Sequence, residues 1–293
     1  MVGIRKFKDW LAKYVLISVG FFNIVILATM FMFIFFNSFN FFKEYSIIKF
    51  FTGRDWIPLS GKYGILPLLT GTFWITIIAL IIAIPLGIFL ALYIREYAPK
   101  KMQNALKMLV ETMSALPSVV LGFIGLYVLS GPIKSIFGLN SGLTALTGGV
   151  ILAFMALPTI VSFTDDAFKA LDKSYKEASL ALGANKLETI FKVLLPAAAP
   201  GIFAGVMLGF GRVLGETMTV LMVTGNAPII ATNPLSSVRA LTATIAAEMG
   251  EVVQGSTHYY SLFALGFVLF VISFATNTIA DIYVRKSRKL TGK

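Results

Sequence analysis

The sequence contains no cysteine, only one histidine, His258, and little charge, since Asp, Glu, Lys and Arg together make up 13% of its 293 residues. The lack of cysteine excludes a disulfide, a thiolate nucleophile and an iron–sulfur cluster, and one histidine is too few for a His-rich zinc or haem site. No Gly-x-x-x-x-Gly-Lys-Ser/Thr loop occurs, so the chain lacks this nucleotide-binding motif. We therefore expect a chain that is not an enzyme and holds no metal or cofactor of its own.

Apolar residues are what the sequence has in excess. Hydrophobic residues make up 57% of the chain and the mean hydropathy is +0.84, whereas soluble globular proteins are about 45–50% apolar. Six stretches are long enough to cross a bilayer. They cover residues 14–36, 68–94, 109–129, 143–163, 201–223 and 260–283. The sequence thus predicts an all-α integral membrane protein with six transmembrane helices, whose loops are too short for a second catalytic domain.

Basic residues are distributed unevenly around these spans. If the spans alternate in direction, eighteen of the 25 Lys and Arg residues lie on the side of the two termini, six lie on the opposite side, and Arg212 lies within a span. Because cytoplasmic loops are enriched in Lys and Arg, both termini are predicted to be cytoplasmic. The net charge of +11 therefore reflects membrane topology among lipids and gives no reason to expect a nucleic-acid partner. His258, beside two tyrosines, is expected in an interfacial loop.

Two prolines in the predicted spans occur in segments that echo each other. Pro117 lies in Ala-Leu-Pro-Ser-Val-Val, residues 115–120, and Pro158 lies in Ala-Leu-Pro-Thr-Ile-Val, residues 156–161. Because proline removes a backbone donor, both are predicted to kink their helices. Prolines are common in transmembrane helices and need no functional role there. The alternative is that these two helices line a pathway together.

The fifth span combines small residues with charge. Gly201, Gly205 and Gly209 recur every four residues and predict a helix face against which another helix packs closely. Arg212 follows near the bilayer midplane, with Glu216 four residues later on the same predicted helical face. A charge at that depth is costly, so the pair should face protein or a wet cavity.

Two interpretations of Arg212 and Glu216 stay open. In the first, they form a static ion pair that locks the helix. In the second, the guanidinium group meets an anionic substrate, while Glu216 holds it between transport events. The planar donor fork of arginine matches tetrahedral oxyanions, so the residue types favour an anion pathway without naming the anion.

The segment from residue 165 to residue 196 is polar but keeps apolar residues at steps of three and four. This spacing predicts an amphipathic helix, with Thr164 or Asp165 as its N-cap and Gly183 as a turn or C-cap. Helical spacing resumes at Lys186, and Pro196 is expected to break the helix. The spacing alone predicts only a generic cytoplasmic helical hairpin.

The same segment resembles the EAA loop of ABC importer permeases, whose pattern is Glu-Ala-Ala, Gly, Ile and Leu-Pro. The matching residues here are Glu177, Ala178, Ser179, Gly183, Val193, Leu195 and Pro196. Ser179 and Val193 depart from the pattern, each by a small conservative change. The resemblance implies a short coupling helix that docks on a separate ATPase subunit. The coupling residues it implies are Glu177, Ala178, Ser179, Gly183 and Pro196.

A second resemblance concerns the substrate. Residues 211–226, Gly-Arg-Val-Leu-Gly-Glu-Thr-Met-Thr-Val-Leu-Met-Val-Thr-Gly-Asn, are similar to the Arg-Ala-Ile-Gly-Glu-Thr-Met signature of phosphate-specific (Pst) ABC permeases. Met-Thr after Gly-Glu-Thr favours the C-type over the A-type subunit. Further segments that resemble the C-type subunit are Trp56 and residues 63–67, 71–72, 96–99 and 116–120. The resemblance covers about residues 50 to 285 and implies that Arg212, Glu216 and Thr217 lie in the substrate pathway.

The resemblance implies a type I ABC importer permease with the MetI-like fold, in the plasma membrane of a prokaryote. Its expected divisions are residues 1–45 (N-terminal cytoplasmic segment and first transmembrane helix), 64–285 (a five-helix permease core with the coupling loop at 165–196) and 286–293 (a basic cytoplasmic tail). The implied partners are an A-type permease subunit, a pair of ATPase subunits that carry ATP and Mg²⁺, and an extracytoplasmic phosphate-binding protein.

Three rival functions remain. The nearest is a permease for another oxyanion, such as sulfate or molybdate, which would share the coupling loop. A secondary transporter or channel, with Arg212 and Glu216 as a proton or ion relay, has no need for an ATPase dock. A membrane anchor has no need for charges inside its spans.

Overall fold

The protein is described by a computed structural model for residues 2–290, with side chains described for residues 10–286. Helices dominate this range, as the apolar spans predict. Their bounds are α1 Val2–Glu44, α2 Ile47–Thr52, α3 Leu66–Leu92, α4 Lys100–Ser114, α5 Ser118–Ile124, α6 Ser130–Ile136, α7 Ala145–Lys169, α8 Lys173–Ala181, α9 Lys186–Glu188, α10 Leu195–Leu214, α11 Met218–Val223, α12 Leu241–Glu248 and α13 Thr257–Leu290. A short antiparallel hairpin pairs β1 Trp56–Ile57 with β2 Lys62–Tyr63.

Within residues 10–286, six helices are long and apolar enough to cross a membrane, which confirms the predicted number of spans. They are Trp10–Glu44, Leu66–Tyr97, Ser118–Ile136, Ala145–Lys169, Lys186–Leu214 and Thr257–Lys286. The third span begins at Ser118 and not at residue 109. Residues 109–114 belong to α4, an amphipathic helix that ends before the span begins.

Pro117 does not kink a helix, contrary to the prediction. It is the N-cap residue of α5, in the short link that follows α4. Proline disfavours the helical conformation of the residue before it, so a helix tends to end there. Pro158 lies inside α7 and Pro85 lies inside α3, and both helices continue past them.

π-helical turns join several of these helices without a break. Tyr93–Tyr97 extends α3, Gly125–Leu129 joins α5 to α6, and Thr189–Leu194 joins α9 to α10. One continuous helix therefore runs from Lys186 to Leu214, and the prediction that Pro196 breaks it is wrong. A π turn bonds each N–H to a carbonyl five residues back, so the usual i→i−4 ladder is already interrupted where proline has no N–H to donate.

The helix α7 packs against both α3 and α10. An added Cβ would lie 2.5 Å from Ala167 at Gly201, 2.6 Å from Phe163 at Gly205 and 3.0 Å from Ile160 at Gly209. All three partners belong to α7. The glycine stripe of the fifth span is therefore the close-packing face that its spacing predicts.

The first helix packs on the last through aromatic side chains. The ring centroid of Phe31 on α1 lies 5.0 Å from that of Phe270 and 6.5 Å from that of Phe267, both on α13. At the other end of α1, Phe41 joins an apolar cluster that includes Trp56 of the β-hairpin. This cluster ties the hairpin to the helix bundle.

Candidate functional site

Arg212 lies in the last turn of α10, half-buried, and its guanidinium group reaches two other helices. Nη1 lies 3.5 Å from Oγ1 of Thr159 on α7, and Nη2 lies 3.4 Å from the carbonyl oxygen of Ser114 at the end of α4. Both distances are long for a hydrogen bond. Among the side chains of residues 10–286, no carboxylate forms an ion pair with Arg212. Its donors are therefore only weakly engaged.

Glu216 does not share a helical face with Arg212, contrary to the prediction. The helix α10 ends at Leu214, and Glu216 lies in the link before α11. Its Oε1 accepts a hydrogen bond of 3.2 Å from the backbone N–H of Thr219, one of the N–H groups that a helix N-terminus leaves without an intrahelical partner. The i,i+4 rule fails here because it requires an unbroken helix. In this conformation the two residues are not a static ion pair.

Between Arg212 and Asn226 the helical structure is interrupted twice, after Leu214 and after Val223, and we call residues 212–226 the broken segment. Thr217 lies at the first interruption, where its Oγ1 donates to the carbonyl oxygen of Gly215 at 3.2 Å. At the second, Gly225 and Asn226 have φ of 80° and 52°, both in the left-handed region. Such a conformation is uncommon for a residue with a side chain, although asparagine tolerates it better than most.

Both echoing proline segments contact the broken segment. Thr159 and Ser118 directly follow the two prolines. Thr159 contacts Arg212, as described above, and the carbonyl oxygen of Ser118 accepts a hydrogen bond of 2.9 Å from Oγ1 of Thr219. The structure thus brings the two echoing segments and the predicted pathway residues into one neighbourhood.

The helices α8 and α9 form a hairpin, as the spacing predicts, and we call residues 172–194 the coupling hairpin. The N-cap residue of α8 is Asp172, whose side chain accepts a hydrogen bond of 2.9 Å from the N–H of Ser174. Thr164 and Asp165, the expected caps, lie inside α7, which continues to Lys169. The helix continues because its apolar face stays buried through the last turn.

Gly183 makes the turn of the coupling hairpin with φ of 86°, as its predicted role requires. Asn185 and Glu188 then form a capping box at the start of α9. Glu177, Ala178 and Gly183 are all exposed on the hairpin. These three motif residues therefore lie on an accessible surface.

Ser179 differs from the other motif residues because it is buried. Its hydroxyl lies 3.0 Å from that of Thr189 on the second arm of the coupling hairpin, and both residues are nearly inaccessible. The departure from the Glu-Ala-Ala pattern thus has a physical reason, since serine gives the buried Thr189 hydroxyl a partner that alanine lacks. Pro196 lies after the hairpin, in the helix that leads to the broken segment.

Two lysines fasten the coupling hairpin to the end of the α3 helix. Lys176 forms an ion pair with the Glu96 carboxylate. Lys186 donates to the backbone carbonyl oxygen of Glu96 and lies over the ring of Tyr97, 4.0 Å from its centroid. The hairpin is therefore attached to a helix that packs against α7.

Sequence reasoning missed an ion-pair cluster at the end of α7. The Asp165 carboxylate is 7% exposed and lies 2.8 Å from Nζ of both Lys107 on α4 and Lys169 on α7. The local signal was present, since Lys169 follows Asp165 at i+4. The contact with Lys107 had no such signal because it joins two separate helices.

A second missed cluster surrounds Glu248 at the end of α12. Its carboxylate lies 2.7 Å from Nη1 of Arg239, 3.1 Å from Nε1 of Trp56 and 2.9 Å from Nε2 of His258. His258 is in the first turn of α13 and not in a loop. Trp56 is 192 residues from Glu248 in sequence, so no spacing rule predicts the cluster.

Comparison with known proteins identifies the family. Residues 83–289 match the family model described as binding-protein-dependent transport system inner membrane component. The match spans more than half of the chain and includes both the coupling hairpin and the broken segment. The chain belongs to this family. This permease is therefore a multi-pass membrane protein of the inner membrane, with six apolar helices within the part of the chain whose side chains are described.

Curated relatives cover most of this permease. The probable ABC transporter permease protein YqgH of Bacillus subtilis is 41% identical over 231 residues, which are 78% of this chain and 75% of YqgH. The phosphate transport system permease protein PstC of Mesorhizobium japonicum is 36% identical over 263 residues, 83% of this chain and 80% of that protein. The predicted resemblance to C-type Pst permeases is confirmed.

Solved structures show the same fold. A bacterial ABC transporter involved in the import of the acidic polysaccharide alginate matches with a TM-score of 0.64 over 95% of this chain and 96% of the other, at 15% identity. The MetNI methionine ABC transporter in an inward-facing conformation matches with a TM-score of 0.56 over 76% and 94%, at 21% identity. The predicted MetI-like, all-α fold is confirmed.

Proposed function

We propose that this permease forms half of the membrane pathway of an ATP-driven importer of inorganic phosphate. The observation that carries the proposal is Arg212, a half-buried arginine in a transmembrane helix with no carboxylate partner among residues 10–286. Such a charge inside a span marks a substrate or ion pathway by default. The relatives named as phosphate transport permeases supply the identity of the anion.

In this proposal Arg212 binds phosphate oxygens through its planar fork of donors. The hydroxyl of Thr159 and the broken backbone beside Thr217 give the anion further polar neighbours. Glu216 caps α11 in the described conformation. When phosphate leaves, this nearby carboxylate forms an ion pair with the guanidinium group of Arg212. The exchange needs only a movement within the broken segment.

The energy for transport comes from a separate pair of ATPase subunits, which carry ATP and Mg²⁺. We propose that the coupling hairpin docks there with its exposed residues Glu177, Ala178 and Gly183, while buried Ser179 holds the hairpin together. Movement then passes through Lys176 and the end of α3 to the helices around Arg212. The permease itself hydrolyses no ATP.

The remaining partners are an A-type permease subunit, which supplies the second half of the pathway, and an extracytoplasmic phosphate-binding protein. In this proposal both termini and the coupling hairpin lie in the cytoplasm, which the distribution of Lys and Arg supports. The Glu248 cluster then faces outward, toward the binding protein.

The test is uptake of radiolabelled phosphate by proteoliposomes that contain the complete complex, with ATP supplied to the ATPase side. Arg212→Lys keeps the charge but replaces the bidentate fork by a point charge. Loss of one charge-assisted hydrogen bond lowers uptake about tenfold or more, with assembly unchanged. Arg54→Lys, a change at an exposed arginine near the β-hairpin, is the matched control and should transport normally.

Three results would contradict the proposal. Normal uptake by Arg212→Lys would show that phosphate does not depend on the fork. Uptake of labelled sulfate or molybdate, but not phosphate, would identify the rival oxyanion permease. Uptake without any ATPase subunit would indicate a secondary transporter or channel.

A further inference from the structure

The helix α12 lies against the broken segment and contacts its backbone at Glu216. Oγ1 of Thr242, in the first turn of α12, donates a hydrogen bond of 2.7 Å to the backbone carbonyl oxygen of Glu216. This carbonyl lies in the link between α10 and α11, outside both helices. The Thr242 hydroxyl thus holds the backbone of the link directly after α10 ends.

The last residue of α12 holds the other end of the broken segment through Arg239. Nη1 of Arg239 lies 2.7 Å from Oε1 of Glu248, and Nε donates a hydrogen bond of 3.0 Å to the backbone carbonyl oxygen of Asn226. Asn226 has a left-handed backbone, and its Oδ1 is buried without a hydrogen-bond partner in the described structure. Strained conformations of this kind persist only where the surroundings impose them.

The helix α12 is itself fixed to the bundle. The backbone N–H of Leu241 donates to Oγ1 of Thr72 on α3 at 3.1 Å, and Glu248 also contacts Trp56 and His258. Leu241 and Ala243 are completely buried. One short, anchored helix therefore contacts the backbone of Glu216 directly and holds that of Asn226 through Arg239. Both residues belong to a segment whose own helical hydrogen bonding is interrupted.

We propose that α12 is a strut that sets the backbone geometry of the broken segment, with Thr242 and Glu248 as positioning residues for anion transport. The strut acts on the backbone of Glu216 and Asn226 and does not touch the anion. This inference rests on the proposed function for its effect on transport. Its effect on the backbone can be measured separately.

The first test uses three threonine variants of one helix. Thr242→Val removes the hydroxyl that reaches Glu216, and Thr242→Ser keeps it. Thr244→Val is the matched control, because the buried hydroxyl of Thr244 donates, within residues 10–286, to the carbonyl oxygen of Ala240 alone, at 2.9 Å; Ala240 is the N-cap residue of the same helix. We expect Thr242→Val to speed deuterium exchange in the broken segment and to lower phosphate uptake. Thr242→Ser and Thr244→Val should behave like the parent protein in both measurements.

The second test removes the charge at the other end of the strut. Glu248→Gln weakens the hold on Arg239, because a neutral amide replaces the carboxylate that faces its guanidinium group. Asp55→Asn is the matched control, since the ion pair of Asp55 with Lys62 is exposed at the β-hairpin. Within residues 10–286, neither side chain forms a hydrogen bond or an ion pair with the broken segment. The Glu248→Gln variant should resemble Thr242→Val.

Two readouts separate the strut from the proposed function. The first is deuterium exchange of the backbone amides of residues 212–226 in the assembled complex. We expect this exchange to be about three- to tenfold faster in the two strut variants, Thr242→Val and Glu248→Gln, because each loses about one net hydrogen bond. The second is phosphate uptake per assembled complex, which should fall by a similar factor. Thr242→Val added to Arg212→Lys should cause little further loss, because both changes act on one unit.

Each outcome has one meaning. Unchanged exchange in Thr242→Val and Glu248→Gln overturns the strut. Faster exchange with normal uptake, or fully additive losses with Arg212→Lys, overturns the positioning role. Normal uptake by Arg212→Lys alone, together with faster exchange in the strut variants, refutes the proposed phosphate contact but supports the strut's control of the backbone.

Discussion

Exchanging the residues at positions 201 and 167 tests how closely α10 packs on α7. At Gly201 an added Cβ would lie 2.5 Å from the Cβ of Ala167 and 3.3 Å from its Cα. Non-bonded carbons prefer about 3.5–4.0 Å, so Gly201→Ala must push the helices apart by about 1 Å. In the exchange Gly201→Ala/Ala167→Gly, the methyl group moves from α7 to α10 and the main clash disappears.

The expected free energies of unfolding distinguish these variants. Overpacking costs about 1–3 kcal/mol, and alanine in place of glycine inside a helix returns about 1 kcal/mol, so Gly201→Ala is less stable by about 0–2 kcal/mol. Ala167→Gly alone loses about 1 kcal/mol of helix propensity. In the exchange the two propensity terms cancel and the 2.5 Å clash between the two Cβ atoms is absent. The coupling energy between the sites is then about 1–3 kcal/mol.

The assay is the midpoint of thermal unfolding of the purified protein, where 1 kcal/mol corresponds to about 2–4 °C for a chain of this size. Gly211→Ala, on the same helix, is the control, because a Cβ there meets nothing within 4 Å. It should be at least as stable as the parent. If the exchange variant loses as much stability as the two single variants combined, the two helices do not approach each other as described.

Three further predictions concern the coupling hairpin and the topology. Gly183→Pro should abolish uptake and ATPase stimulation, because proline fixes φ near −65° where the turn has 86°, whereas Gly183→Asn should keep most activity; full stimulation by the proline variant would rule out the coupling role. Ser179→Val should lower stability by about 1–2 kcal/mol by leaving the Thr189 hydroxyl unpaired, and adding Thr189→Val should restore part of it; a further loss would count against the buried pair. Ser256→Cys should react with an impermeant thiol reagent only from outside the cell, and labelling only from the cytoplasm would contradict the topology.

The number and approximate place of the membrane spans could be predicted because bilayer thickness imposes a minimum apolar length. Their ends could not be predicted equally well. Residues 109–114 are apolar enough to extend the third span, yet they complete the amphipathic α4, and Pro117 separates the two helices. The apolar run of the fifth span likewise continues through the break at Gly215, which hydropathy does not detect because it measures composition and not backbone hydrogen bonding.

For the candidate site, motif resemblance supplied the residues and the fold supplied their neighbours. Arg212 and Glu216 stand out in sequence because charge is rare inside a span. Their actual contacts, with Thr159, Ser114 and Thr242, join residues 53, 98 and 26 positions apart. Such contacts depend on how helices are arranged in space, which local spacing does not encode. The turn at Gly183 was predictable because its cause, a left-handed backbone, is local.

The continuous helix from Lys186 to Leu214 fixes how the glycine face of α10 is rotated about the helix axis relative to the coupling hairpin. Each residue of an α-helix adds a rotation of about 100° and a rise of about 1.5 Å. Removing a single residue from the α-helical part between Leu195 and Gly201 would therefore rotate the glycine face of α10 by about 100° relative to the coupling hairpin. Either Gly201 and Gly205 would turn away from α7, or the hairpin would lose its attachment to Glu96. This part of the helix thus tolerates substitution far better than a change in its length.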